Sequence, residues 1–472
     1  MATAKKAKKA TAHSKRAVVK KTERVVAKAG KPAGNNPAPG AVPAAASSGQ
    51  SATGLRVRMY RVGFGDFFLL TVPTGKGQRH ILIDCGVHAK DLGSIKDAVA
   101  QMAADCEHQL ALVIMTHRHA DHISGFGTCA DTFSQIAVER VWMPWFENRD
   151  DQEAVAIQTH LTALASNLSL RLAARGDAES PFAAMVGNII GDMAAGGSSN
   201  QKALDVLHEG FKNKVEPDYY KAGDPARLPQ DLVDAGFSAQ ILGPPGDTSL
   251  ITQMTNVNDQ YLTEDAQTDE KPMKTPFSKA FQIGSYPEGA LRFYGADKVK
   301  ELINGIQPDV LAAQAKAADN TLNNQSLVIL FSFAGKNLLF VGDAQWGNWE
   351  NFLYGGAYGT PGHTEMTKTA RDILNKIDFY KVGHHGSRNA TPKDVVAAMK
   401  ASCVCMCSTQ IHAYNEVPRQ PLMDALKKQM QGQLARSDQI AISGAPANPD
   451  AGPLPSKFTP PPPGKLFIDY VF

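Results

Sequence analysis

The sequence predicts an α/β protein in which strands and helices form layers around an apolar core. Apolar runs of strand length and amphipathic stretches of helical length alternate along the chain in two passes. The 472 residues are 43% hydrophobic, which is enough to bury a sizeable core. The six cysteines form no C-x-x-C pair, so the sequence indicates neither a disulfide scaffold nor a cysteine zinc finger.

The first 54 residues differ in composition from the rest of the chain. They are rich first in Lys and Ala and then in Pro, Gly, Ala and Ser, and they hold eleven Lys or Arg against one acid. The whole chain carries a net charge of only +3, so the remainder is net acidic. We predict a disordered basic tail over residues 1–54, because such a composition buries too little apolar surface to fold. It suits a solubilising linker, an arm for nucleic acid or another anionic surface, or an organelle-targeting peptide.

The sequence predicts no membrane span, because it has no run of about 18 apolar residues. Its first residues also lack the apolar stretch of a secretory signal. We therefore expect a cytoplasmic protein.

The first pass of predicted elements begins near Leu55, where alternating apolar residues indicate a strand. A Gly-rich turn joins it to the next strand, and an amphipathic helix precedes the last strand of the pass. The predicted elements are strands at 55–62, 67–72 and 80–84, a helix at 94–106 and a strand at 110–117.

The second pass follows an Ala/Leu-rich helical stretch over 146–235 and a polar stretch over 247–295. It contains a hairpin of two apolar strands and ends in a strand after a Pro-rich loop. The predicted elements are strands at 238–242, 326–333, 337–341, 378–382, 403–408 and 465–472, and helices at 308–320, 367–376 and 421–430.

The most informative motif is H-x-H-x-D-H, which directly follows an apolar strand. Imidazole and carboxylate groups are ligands that suit zinc, manganese or iron. The H-x-H spacing on a strand-end loop lets His117 and His119 converge on one cation, while Asp121 and His122 are free to turn towards a second. A polar loop of solvated histidines is the alternative.

Polar residues also follow three other apolar runs. Asp343 ends the run L-L-F-V-G-D, where its two oxygens suit a bridge between two cations, although it also fits an acidic turn. The tetrapeptide H-H-G-S at 384–387 follows another strand, and a surface turn is its alternative. Asp84 ends a third strand, where we expect it to accept a hydrogen bond from a ligand histidine and fix its tautomer. Four such clusters at four strand ends predict one shared site.

In this order, these motifs resemble the metallo-β-lactamase superfamily. Three further stretches resemble its DNA-uptake (ComEC-type) branch: V-G-F-G-D at 62–66, N-N-Q-S-L-V-I-L at 323–330 and K-V-G-H-H-G-S at 381–387. The resemblance covers residues 55–472, as one hydrolase domain, apart from segments at roughly 146–240 and 247–322. It implies an αββα sandwich with a metal site on loops along one edge of the two sheets. The two unmatched segments are interpreted as helical and loop insertions.

The resemblance also implies two bound metal ions, zinc in the first place, with manganese or magnesium as alternatives. The implied ligands are His117 and His119 for the first ion, Asp121 and His122 for the second, Asp343 as the bridge, and His384 to complete the second site with His385 in reserve. Asp121, His385 and Ser387 are the implied catalytic residues, which orient the attacking water, contact a phosphate oxygen or protonate the leaving group.

The sequence departs from the superfamily at one ligand of the first ion. Many members supply a further histidine after a strand in the middle of the chain, but the matching stretch A-Q-I-L-G-P-P-G carries none. The first ion is then weakly held, absent, or completed by an inserted residue such as His363.

These features predict a metal-dependent hydrolase with a metal-activated water, in the first place a phosphodiesterase or nuclease acting on nucleic acid. The same chemistry serves a small ester, lactone, thioester or cyclic nucleotide, so the ligands do not separate the two substrate classes. A degenerate, non-catalytic binding or scaffold protein is the third hypothesis, and metal analysis discriminates it.

Overall fold

The computed structural model describes a single unit of the chain. The chain divides into two units, residues 1–51 and residues 52–472, and every described residue belongs to the second. The predicted basic tail, up to residue 53, and the predicted helix at 308–320 lie outside the described residues. The structure describes residues 54–88, 95–175, 199–253, 256, 259–261, 321–411, 413, 417–442 and 445–472.

The strands in the described part of the chain fall into two mixed sheets. The strands are β1 Arg56–Tyr60, β2 Phe67–Thr74, β3 Gly77–Cys85, β4 Gln109–Ile114, β5 Ala137–Pro144, β6 Asp218–Tyr220, β7 Ser238–Gly243, β8 Val328–Phe333, β9 Lys336–Phe340, β10 Phe379–Lys381, β11 Val404–Cys407, β12 Leu434–Arg436 and β13 Phe467–Val471.

At least one helix lies between each two consecutive parallel strands, and a short helix also follows β6 and another follows β7. In the described residues the helices are α1 Ile95–Asp105, α2 Ala120–Thr128, α3 Ala130–Phe133, α4 Gln152–Arg175, α5 Ser199–Asp205, α6 Gln230–Asp234, α7 Thr248–Ile251, α8 Trp346–Tyr354, α9 Lys368–Leu374, α10 Lys393–Ala398 and α11 Gln420–Gln429. None of them is both long enough and apolar enough to cross a membrane.

The two sheets repeat one pattern of strand order and direction. The first has the order β13-β1-β2-β3-β4-β5-β6 and the second the order β7-β8-β9-β10-β11-β12, read from the opposite end. In each, the first three strands in sequence are antiparallel neighbours and the next three are added in parallel. By this correspondence, β3 matches β9 and β4 matches β10.

The sheets are buried on both faces, which explains why their strands are nearly continuous apolar runs. Alternate residues of one strand point to opposite faces. In β9, Leu338 and Phe340 join an apolar cluster that contains side chains of both sheets, whereas Leu339 packs against helices. The ring of Phe340 lies 5.9 Å from that of Phe68 on β2, measured between centroids.

Two further apolar clusters place helices against the sheets. One combines residues of the first sheet with α1 and α2, for example Leu69 with Val99 and Phe126. The other combines residues of the second sheet with α8 and α11, for example Leu339 with Trp349. The molecule is therefore a mixed α/β protein, as the alternating pattern predicted.

Most predicted strands and helices within the described residues are confirmed, including the hairpin of β8 and β9. Strands β5, β6 and β12 were not predicted from the sequence, and a loop was expected where helix α2 begins. Strand β6 lies at the edge of the first sheet within the segment 146–240, so that sheet extends into the expected insertion. The predicted strand β7, at the edge of the second sheet, begins just before the end of this segment.

Candidate metal centre

The four polar clusters predicted from the sequence follow strands that are neighbours in the sheets. Asp84 lies at the end of β3 and the motif 116–122 follows β4, which is parallel to β3. Asp343 follows β9 and the pair 384–385 follows β10, which is parallel to β9. Because carboxyl ends of parallel strands meet at one edge of a sheet, each sheet brings two clusters together.

The first turn of α2 carries two of the candidate ligands, Asp121 and His122. A loop from the first sheet holds this turn closely, and the Asp66 backbone N–H donates to the Asp121 carbonyl at 2.8 Å. Gly86 packs against the same turn, and a Cβ atom there would lie 2.4 Å from the Asp121 carbonyl carbon and from the His122 nitrogen. Only glycine permits this approach.

Asp343 is the meeting point of the buried donors. Its Oδ1 lies 3.2 Å from His122 Nε2, and its Oδ2 lies 3.4 Å from His385 Nε2. His385 Nε2 also lies 3.0 Å from Asp121 Oδ2. These four side chains, two imidazoles and two carboxylates, are close enough together to hold one metal ion.

Hydrogen bonds on the far side of each imidazole fix which nitrogen faces this group. His122 Nδ1 donates to Asp84 Oδ2 at 2.7 Å, and Asp84 also accepts from the backbone and hydroxyl of Thr116. His385 Nδ1 donates to the Ser408 carbonyl at 2.9 Å, which is only an acceptor. Both Nε2 atoms are therefore directed at Asp343, as in metal-binding histidines. The contact of Asp84 is the one expected from the sequence, and its role stays a prediction.

The donor group fits a cation in charge as well as in geometry. Burial lowers the pKa of His122, but Asp343 and Asp84 outweigh it and raise that pKa well above its ordinary value. The pKa of His385 is raised likewise, against burial and chiefly by Asp343. Burial raises the pKa of Asp121, yet the hydrogen bond from His385 is among the contacts that lower it overall. The negative charge that raises the pKa of both histidines also favours the binding of a divalent cation.

His117 and His119 lie beside this group. His117 Nε2 is 3.0 Å from His119 Nδ1, and the His117 ring lies 4.2 Å from the His122 ring, measured between centroids. Ser326 links this pair to Asp343, because its hydroxyl lies 3.3 Å from His117 Nδ1 and accepts from the Asp343 backbone N–H at 3.0 Å. Burial, together with the neighbouring imidazoles, lowers the pKa of His117 well below its ordinary value.

The adjacent residues His384 and His385 have different surroundings. Both adopt left-handed backbone conformations, with φ of 45° and 52°, which is rare for residues with side chains and common at functional sites. His385 is fully buried, whereas the His384 side chain is 24% exposed and its Nε2 lies 4.0 Å from Asp343 Oδ2. Ser387 Oγ lies 2.8 Å from His384 Nδ1. The predicted ligand role of His384 stays a prediction.

His363 lies outside the His/Asp groups that could hold a metal ion in the described part of the chain. Its Nδ1 is 2.7 Å from the Tyr354 carbonyl at the end of α8.

Two charged residues in the cluster, Asp66 and Lys381, were not predicted as site residues from the sequence. Lys381 Nζ forms an ion pair with Asp66, donates to the Gly342 carbonyl at 2.8 Å and lies 3.5 Å from Asp343 Oδ1. Asp66 Oδ1 lies 3.5 Å from His385 Nδ1. The sequence did contain a signal for both residues, because Lys381 lies inside the apolar run F-Y-K-V-G and Asp66 ends G-F-G-D. A charge buried in such a run needs a partner of opposite charge.

Comparison of the chain with protein-family models and with curated proteins gives no match in either case. The resemblance to the metallo-β-lactamase superfamily therefore depends on the motifs alone.

Proposed function

We propose that the protein is a metal-dependent hydrolase of the metallo-β-lactamase type, which cleaves phosphodiester bonds in nucleic acid with an activated water. One observation carries the metal-dependent part of the proposal: each carboxylate oxygen of Asp343 faces the Nε2 atom of a different, outwardly hydrogen-bonded imidazole.

The arrangement of the apolar clusters supports the αββα sandwich that the resemblance implies. One cluster joins the two sheets, and the other two join each sheet to helices. The strand ends that carry the polar residues belong to both sheets, which suits a site along their common edge.

We assign His122, His385, Asp121 and Asp343 as the ligands of one ion, and His117 and His119 as donors available to another. In this proposal His385 takes the ligand role that the resemblance gives first to His384. Imidazole and carboxylate together suit zinc best, and manganese or magnesium are the alternatives. When bound, such a cation lowers the pKa of a coordinated water and stabilises negative charge on a substrate oxygen.

The chain's own residues would hold and direct the reactants. Asp84 and the Ser408 carbonyl keep the two imidazoles oriented. The Asp121 side chain is 14% exposed, which supports our proposal that it orients the attacking water. The more exposed His384, with Ser387 beside it, would donate a proton or a hydrogen bond to a substrate oxygen.

Two sequence features support nucleic acid as the substrate. The stretches at 62–66, 323–330 and 381–387 resemble the DNA-uptake branch, and residues 1–54 carry eleven basic residues that favour phosphate groups.

The test is a metal analysis of the purified protein together with cleavage assays on single- and double-stranded DNA, a lactone and an aryl ester. We expect bound metal and metal-dependent DNA cleavage. His385→Ala should lose both, while His384→Ala should keep the metal and lose turnover. His160→Ala, at an exposed position on α4, is the matched control.

Metal-free protein without hydrolytic activity would contradict the proposal and favour a binding or scaffold role. Hydrolysis of the lactone or ester without DNA cleavage would replace the substrate class and leave the metal chemistry in place. Loss of metal in His384→Ala but not in His385→Ala would reverse the two assignments.

A further inference from the structure

The centre already contains a fixed cation of its own. Lys381 follows two apolar residues in β10, and its side chain is only 2% exposed. An ammonium group has three donors and no acceptor, so it is unable to act as a metal ligand while it stays charged. Burial of this charge is unfavourable unless close partners of opposite charge compensate for its lost hydration.

Lys381 has two kinds of partner: the turn that carries Asp343, and a separate acid, Asp66. Its ammonium group donates to the Gly342 carbonyl at 2.8 Å and lies 3.5 Å from Asp343 Oδ1. Gly342 has a φ of 51°, and a Cβ there would lie 2.9 Å from the Thr116 hydroxyl, so this turn is tightly confined. The direct ion pair is with Asp66, on the loop after β1.

Asp66 and Lys381 thus balance each other inside the cluster. Asp66 belongs to a second group of possible metal donors, with Asp84 and His122, but Lys381 already supplies the positive charge at this carboxylate. With the direct ion pair made to Asp66, Asp343 keeps one oxygen towards each imidazole.

We propose that Lys381 is a positioning residue, which with Asp66 as its counter-ion holds the Gly342–Asp343 turn so that the Asp343 carboxylate is presented to the metal. This inference rests on the proposed function, since it assigns how that metal ligand is oriented. The competing explanation is that Lys381 and Asp66 form a buried ion pair that contributes to folding alone.

The two explanations predict different results for a double variant in which both residues are changed. Lys381→Met or Asp66→Asn alone leaves a buried charge with fewer partners, whereas the double variant removes both charges. We expect the double variant to recover most of the melting temperature lost by Lys381→Met. Its Zn²⁺ affinity, measured by competition with a chromophoric chelator, should stay about 10- to 100-fold below that of the unchanged protein, as for other groups that orient a metal ligand.

A matched control is the double variant Arg436→Met with Asp438→Asn. It removes a second buried ion pair, whose partners are 2.7 Å apart and lie outside both donor groups. We expect this variant to keep the Zn²⁺ affinity of the unchanged protein. A Lys381→Met/Asp66→Asn protein that binds Zn²⁺ as tightly as the unchanged protein would overturn the positioning role.

Asp66→Asn alone provides a test that does not depend on folding of the double variant, because Asp343 remains near Lys381 as a compensating charge. We expect Lys381 to pair with Asp343, so that Zn²⁺ binds about tenfold or more weakly and saturating Zn²⁺ restores turnover. Unchanged Zn²⁺ affinity would count against the proposal. If the unchanged protein itself binds no Zn²⁺, Mn²⁺ or Mg²⁺, the proposed function fails instead.

Discussion

At the scale of single residues, the centre depends on which nitrogen of each imidazole is committed to a hydrogen bond. His122 and His385 both use Nδ1 for an acceptor outside the donor group. The acceptor is the Asp84 carboxylate for His122 and the Ser408 backbone carbonyl for His385. The aspartate can be changed without changing the backbone acceptor, so it allows the direct test.

Asp84→Asn should weaken metal binding by about 10- to 100-fold, because an amide oxygen replaces a carboxylate that accepts from Thr116 and from His122. Asparagine tolerates the left-handed backbone of this position, where φ is 54°. The measurement is a Zn²⁺ titration. Asp97→Asn, at an exposed position on α1, should have no effect. Equal affinity of the two variants would argue against the role given to Asp84.

His80 predicts a pH dependence of stability away from the centre. Burial, followed by Arg56 and Arg79, lowers the pKa of His80 from 6.5 to about 4. As the pH falls below 6.5, the unfolded chain takes up a proton that the folded protein accepts only near pH 4. The free energy of unfolding should therefore decrease across this window, by on the order of 3 kcal/mol.

His80→Gln removes the titrating group, so its stability should depend less steeply on pH between 6.5 and 4 than that of the unchanged protein. Urea unfolding at several pH values measures the difference. Parallel curves for the two proteins would show that His80 titrates normally in the folded state.

At the scale of elements, the first turn of α2 determines where Asp121 and His122 lie. The turn is held by the loop that contains Asp66 and by contact with Gly86. Backbone packing around this turn therefore controls both the positions of the two side chains and the metal binding that we propose for them.

Gly86→Ala should displace this turn, since the added Cβ would meet backbone atoms at 2.4 Å. We expect a loss of about 1–3 kcal/mol in the free energy of unfolding, together with weaker metal binding. Gly75→Ala is the matched control, because a Cβ there meets nothing within 4 Å. Denaturant unfolding and a Zn²⁺ titration check both effects, and normal metal binding by the Gly86 variant would contradict the coupling.

The sequence allowed prediction of features that are encoded locally. Asp84 and Asp343 end long apolar runs, so their positions at strand ends followed from the pattern. Helix α2 was missed because its residues Ala120–Thr128 include two glycines, which have low helix propensity, and tertiary packing overrides this preference. Strands β6 and β12 have only three residues each, too few to show a period.

The surroundings of His384 and His385 were beyond sequence reasoning for a different reason. Adjacent residues have the same local pattern, and their directions depend on two successive left-handed backbone conformations. These are held by contacts distant in sequence, such as the His384 backbone N–H donating to Asp343 Oδ1 at 3.1 Å. The pairing of Asp66 with Lys381 is equally long-range.

At the scale of the whole molecule, the two sheets contribute equally to the donor group. Asp121 and His122 follow β4 of the first sheet. Asp343 and His385 follow β9 and β10 of the second sheet. The apolar contact between the sheets therefore sets the distance between the two halves of the centre.

Phe340→Ala should loosen this contact, because its buried ring packs near those of Phe68, Phe331 and Phe379. Removal of a buried aromatic ring costs about 3–5 kcal/mol in the free energy of unfolding. Val233→Ala, at a 47% exposed position, should change it by less than about 0.5 kcal/mol. Denaturant unfolding measures both, and a small effect at Phe340 would show that the inter-sheet core repacks readily.

The division of the donors between the sheets has a consequence for the protein during its synthesis. Asp121 and His385 are 264 residues apart. At a synthesis rate of about 5–20 residues per second, a ribosome needs roughly 13–53 s to travel from one codon to the other. Throughout that interval, the nascent chain presents one imidazole–carboxylate pair without its counterpart. The full set of donors proposed for the ion is therefore present only late in the synthesis of each molecule.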